Sequence, residues 1–295
     1  MKKWSLTDRI GYAYTAPALA VVALLMAFPL LYTFMLSFQK NDVFANETKF
    51  VGLRQFARLF EDPVFVLAIR NTVVWTAACV AFQFLLGLLA AVAINQEFVK
   101  GKTVIRLLIM VPWVLPGIVG VQTWKWSYHP DFGIINHALK SLGIISHDIT
   151  WTSGSSTALL SAIIVNVWKM FPFVMLMLEA ALQSVPKELK EAAYVDGARP
   201  LRIFFAVTMP HIMMTSLTVI LLLTIWTFNA FTFIFALTAG GPAHKSEILS
   251  LYIYRQGFQN LNFGLASAAS VVLFLLTMAF SLVYIRFFMR KGEEA

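Results

Sequence analysis

Six stretches of this chain, at about residues 12–38, 71–94, 105–126, 157–180, 212–238 and 263–286, are long and apolar, with charges near their ends and only Lys169 deep inside. A helix rising 1.5 Å per residue needs ~20 such residues to cross ~30 Å of hydrocarbon. Lipid offers the backbone no hydrogen-bond partners, so apolar runs of this length cross as helices. The expected fold is an all-α polytopic membrane protein with six transmembrane helices, residues 1–295 forming a single transmembrane domain. Composition agrees: 59% of residues are hydrophobic and 13% charged, against ~25% charged in an ordinary soluble domain.

The net charge of +8 does not point to nucleic acid, because the Lys and Arg residues sit at the ends of apolar runs and do not cluster with stacking aromatics. The single cysteine, Cys79, rules out an intrachain disulfide and a cysteine metal cluster. Met1-Lys2-Lys3 and Arg9 ahead of Ala16–Leu36 resemble a signal peptide, but the run is longer than a cleaved apolar region, so an uncleaved anchor is expected, kinked at Pro29. Residues 38–70 read as a loop with a short surface helix over 53–60. Residues 246–258 read as an amphipathic surface segment, and Gly240-Gly241-Pro242 as a turn. Pro112 and Pro116 share the third run and free backbone carbonyls, which must find partners on neighbouring helices or in a cavity. Six crossings put both termini on one side. With the 96–106 and 187–202 loops, that side holds thirteen Lys and Arg residues against nine on the other, which makes it cytoplasmic.

The longest charged island lies between the fourth and fifth runs, from Val185 to Arg202. Pro186 suits the first turn of a helix, residues 187–196 are tolerable helix formers, and Gly197 is placed to end it in a left-handed conformation. Pro200 then starts a second short helix that Pro210 is expected to break. Ala192 and Ala193 have almost no side chain and would let another backbone approach closely. By residue type, this is either a docking knob for another protein or an amphipathic helix resting on headgroups.

Glu191-Ala192-Ala193, then Asp196-Gly197-Ala198, then Thr208-Met209-Pro210 resembles the EAA loop of bacterial ATP-binding-cassette importer permeases, with Met209 where the family more often has Leu. Further matches cover nearly the whole chain: Phe50-Val51-Gly52-Leu53, Asn71-Thr72, Pro112-Trp113-Val114-Leu115-Pro116, Asp131-Phe132-Gly133 and Leu237-Thr238-Ala239-Gly240-Gly241-Pro242 are similar to the maltose-like and glycerol-phosphate-like sugar branch. The resemblance implies a permease of the bacterial cytoplasmic (inner) membrane, importing a sugar or related polyol. Its implied partners are a second homologous permease, two copies of a cytoplasmic ATPase that binds ATP and Mg, and an extracellular or periplasmic solute-binding protein. The coupling loop, at about 185–210, would meet the ATPase through Glu191, Ala192, Ala193, Asp196, Gly197 and Arg199.

The chain carries no cofactor signature of its own. Gly101-Lys102-Thr103 looks like the tail of a phosphate loop, but the first glycine would fall at Gln96 and no buried strand precedes it. The histidines lack metal-ligand spacing and no nucleophile motif is present, so neither catalytic residues nor a metal site are expected. Lys169 either lines a translocation path or pairs structurally, and it lies ~15 Å along a helix from Glu179, too far for direct neutralisation. Asn166, Asn229, Gln83 and Gln122 each either line the path or join helices. An ATPase-independent secondary transporter or channel is the alternative. Against it, no inverted repeat or set of intramembrane carboxylates is visible. Whether the substrate is phosphorylated stays open.

Overall fold

In a computed structural model, the backbone is described for residues 6–42 and 47–289 and the side chains for 14–40 and 47–288. The basic start at Met1 to Lys3, and Arg290 and Lys291, lie outside them. The all-α expectation holds. Among the described residues, four helices are long and apolar enough to cross a membrane alone: Tyr14–Ser37, Pro63–Asn95, Ala158–Gln183 and Phe263–Phe288. Two further candidates are bent pairs, Lys102–Val114 with Gly117–Ser127 at 94° and Pro200–His211 with Met213–Phe228 at 70°.

The chain divides into two compact units. One comprises residues 1–62 and 253–272. In it the first long helix takes a wide turn at Ala23–Ala27 just before Pro29, a device that absorbs a missing N–H. The segment read as loop contains a two-stranded antiparallel hairpin, Gln39–Asp42 with Glu47–Phe50, pairing Gln39 with Phe50. A short helix, Arg54–Glu61, follows, and Gln55 donates its side-chain amide to the Gln39 carbonyl at 2.9 Å.

The other unit comprises residues 63–252 and 273–295. Its centre is the pairing of helices 63–95 and 158–183. Gln83 donates to the Asn166 carbonyl at 3.3 Å, and four residues later Gly87 meets Val174, so both helices run in the same direction. A β-carbon on Gly87 would overlap the Cβ and Cγ1 of Val174 and sit 3.0 Å from the Met175 backbone nitrogen. Small residues at such contacts let helices pack closely in lipid, where no hydrophobic force draws them together. Ala91, Ile94, Met175, Leu178, Leu182, Ile212 and Leu223 extend the same buried cluster.

Residues 246–252 are not an amphipathic surface. Ser246 to Leu249, Leu251 and Tyr252 are buried, because the start of helix 63–95 binds this segment. The Asn71 side-chain amide faces the carbonyls of His244, Lys245 and Glu247 at 3.4, 3.1 and 2.9 Å. The Thr72 hydroxyl accepts the Leu249 N–H at 2.9 Å. Asn71-Thr72 and the segment after Gly240-Gly241-Pro242, whose bonded residues are 173 to 177 positions apart, therefore form one lock.

Two outcomes follow for folding. Gly87→Leu should cost at least the ~1–3 kcal/mol of an overpacked core and lower the yield of folded protein in detergent. Asn71→Ala leaves three carbonyls without that donor and should make the 240–249 segment cleavable by protease in membrane vesicles where the wild type resists.

Candidate functional site

Two helix breaks, after Val114 and after Phe228, have different local causes. The carbonyl of Pro112 would normally accept from the N–H of residue 116, which is proline and has none. Helix 102–114 therefore ends, with Leu115 at φ −58°, ψ 141°, and a new helix starts at Gly117. Pro112, Trp113 and Leu115 keep carbonyls that this geometry leaves free. Lys169, buried on helix 158–183 at 8% exposure, donates to all three, at 2.9, 2.9 and 2.5 Å. A cation at a helix C-terminus also meets the negative end of the helix dipole.

The second break was not expected. The fifth run is not one helix over 212–238: Met213–Phe228 stops, and Thr232–Leu237 starts afresh. No proline or glycine marks the stop. Asn229 bonds the Ile225 carbonyl with its side chain at 2.8 Å, a local bond that competes with helix propagation. Here too side chains supply donors: Trp75 Nε1 to the Thr227 carbonyl at 3.1 Å and the Ser250 hydroxyl to the Ala230 carbonyl at 2.6 Å. The helices that follow the two breaks pack on each other. Thr232 Cγ2 lies 3.9 Å from where a β-carbon on Gly117 would sit.

The five polar residues expected on a path separate into two groups. Gln83, Asn166 and Lys169 are buried between helices of this one chain. Gln83 and Lys169 donate to backbone carbonyls of neighbouring helices. Gln122 and Asn229 are exposed, one on the half-helix after the first break and one at the second break. Elsewhere in the same unit Phe173 contacts Trp113 at 5.9 Å and Trp226 at 5.1 Å between ring centroids.

The charged island forms the expected helix, Lys187–Val195, with Pro186 just ahead of its first turn. Gly197 ends it at φ +78°. The Gly197 N–H bonds the Tyr194 carbonyl and the Ala198 N–H bonds the Ala193 carbonyl, both at 3.0 Å, the paired pattern of a Schellman C-cap. Pro210 does not break the second helix. The segment Pro200–His211 continues through a wide turn at Phe204–Thr208, and the 70° bend comes after His211. Val185 and Ile212 root both ends of the loop in the buried cluster around Leu178 and Leu182. Between these roots, Glu191, Ala192, Asp196, Gly197 and Arg199 are exposed and Ala193 is half-buried. Val195, Leu201 and Phe205 are also bare, at 88%, 74% and 65% exposure. Lys187 approaches Glu97 at 3.7 Å, which places the 96–101 loop at the same end of the unit.

Residues 83–291 match the family described as binding-protein-dependent transport system inner membrane component. The chain belongs to this family. As an inner-membrane transport component it is 32% identical to the trehalose/maltose transport system permease protein MalF of Thermococcus litoralis, over 94% of this chain and 93% of that one. It is 31% identical to the sn-glycerol-3-phosphate transport system permease protein UgpA of Yersinia pestis, over 96% and 95%. The fold matches a chain of a bacterial ABC transporter involved in the import of the acidic polysaccharide alginate, with TM-score 0.84, 22% identity and 96% of each chain covered.

The φ of +78° at Gly197 costs a residue with a side chain ~1–2 kcal/mol, although an added β-carbon would meet nothing within 4 Å. Gly197→Val should therefore loosen the elbow locally. Faster protease cleavage between 195 and 201, with unchanged yield of the membrane-inserted chain, is the expected reading.

Proposed function

We propose that this transport component imports a sugar or related polyol as one of two homologous permeases, driven by a separate cytoplasmic ATPase pair that binds ATP and Mg. An extracellular or periplasmic solute-binding protein would deliver the substrate. The observation that carries the reading is the loop 186–211: rooted in the core at both ends, stiffened by the Gly197 cap, and exposed at Ala192, Val195, Leu201 and Phe205. An apolar and charged ridge held this way suits the groove of a soluble protein. The sugar cargo is supported by the relatives, named for trehalose/maltose and for glycerol phosphate.

In this reading both termini and the loop face the cytoplasm. Gln122 and Asn229 line the path, together with the rings of Trp113, Phe173 and Trp226. Amide groups hydrogen-bond sugar hydroxyls, and aromatic faces accept the apolar faces of sugar rings. Lys169 is not asked to meet substrate, since three carbonyls already occupy its donors.

Two experiments test this. Ala193→Trp should uncouple the assembled complex, because a few residues of a helix seated in a groove carry ~2 kcal/mol or more each. Substrate-stimulated ATP hydrolysis at the wild-type rate would contradict the docking role. For orientation, a cysteine replacing the exposed Ala243 should react with an impermeant reagent from outside, and one replacing Arg199 should not. The reverse pattern would invert the topology.

A further inference from the structure

Helix Lys102–Val114 is fastened to helix Ala158–Gln183 near both of its ends. At the break, Lys169 holds the carbonyls of Pro112, Trp113 and Leu115. At the other end, Arg106 donates through Nε and a terminal nitrogen to the two carboxylate oxygens of Glu179, at 2.9 and 2.5 Å. The Glu179 side chain is 3% exposed. A two-pronged guanidinium–carboxylate pair fixes orientation as well as distance. Lys169 and Glu179 lie ten residues apart, ~15 Å along their helix. The stacked rings of Trp113 and Phe173 sit in the same interface. One fastening would leave a pivot, and two at this separation resist rotation. Helix 158–183 then runs through Ser184 and the buried Val185 into helix 187–195.

We propose that these two helices form a rigid strut that carries displacement of helix 187–195 to the break at Leu115-Pro116, and so sets the direction of the half-helix that bears Gln122. Lys169, Arg106 and Glu179 are positioning residues in this scheme. The proposal rests on the reading of helix 187–195 as the ATPase-docking element.

The test uses the whole complex, purified through a tag on this chain, with Cys79→Ser so that only introduced cysteines carry spin labels. Labels at the exposed positions Val104 and Thr123 straddle the break. Legs of ~16 and ~11 Å at the 94° bend put the two backbones ~20 Å apart, against ~28 Å for a continuous helix. Pulsed electron resonance is recorded at rest and with Mg–ATP plus vanadate. In the wild type the distance should change between the two conditions. Lys169→Met should spread the resting distance from ~20 toward ~28 Å. Arg106→Glu and Glu179→Arg should each abolish the ATP-driven change, and the double exchange should restore it. If a single charge variant fails to assemble, the exchange must restore both assembly and the change. A narrow resting distance in Lys169→Met, a surviving ATP-driven change in Arg106→Glu, or an exchange that restores nothing would each overturn the strut. Ala193→Trp separates the two ideas. If it abolishes the change while the strut variants keep it, docking stands and the strut falls. If it has no effect, the docking reading fails and takes the strut with it.

Discussion

A carbonyl in lipid must find a donor within the protein, and the carbonyl of Pro112 cannot find one in its own helix. Its partner would be the N–H of Pro116, which does not exist. An unsatisfied polar backbone group in hydrocarbon costs several kcal/mol, and the break leaves three carbonyls at one place. The facing helix answers with one ammonium whose three donors match three acceptors. Burying a lysine in mid-membrane is itself costly, and each charge-assisted bond to a carbonyl offsets that cost. Neither the broken helix nor the buried lysine is tolerable alone, and together they are stable.

The same logic recurs elsewhere. The break after Phe228 is held by Trp75 and Ser250, and the segment after Pro242 is held by Asn71 and Thr72. In each case irregular backbone is stabilised by polar side chains on regular helices. Broken backbone near the membrane centre is where a permease can offer polar groups to a substrate. Helices 63–95 and 158–183, packed through Gly87, form the frame on which both breaks are mounted. Helix 158–183 also leads into the loop 186–211.

Much of this was legible in the sequence. Long apolar runs, with Lys169 the one charge deep inside them, marked the candidate crossings, because lipid penalises charge regardless of tertiary detail. Gly197 marked the helix end, because only the left-handed region suits that elbow. Pro112 and Pro116 showed that carbonyls would be freed. Their partner was not legible, since Lys169 lies 57 residues from Pro112 and no local spacing links them. For the same reason the sequence leaves Gln83 and Asn166 open between a path and a helix-joining role: a polar side chain within a span reads alike whether it faces a neighbour or a cavity. The break at Asn229 left only one asparagine as a signal, and the hairpin at 39–50 lacks the alternation that marks a strand.

In the proposed function the two breaks, and not the buried polar seam, border the route of the substrate. Thiol accessibility tests it most directly. Single cysteines at Gln122, Asn229, Gln83 and Asn166, in a Cys79→Ser background, are exposed in inner-membrane vesicles to a small water-soluble thiol reagent. The expected result is modification at 122 and 229, slowed by transported substrate, with 83 and 166 unreactive. Rapid modification at 83 and 166 with 122 and 229 protected would contradict it.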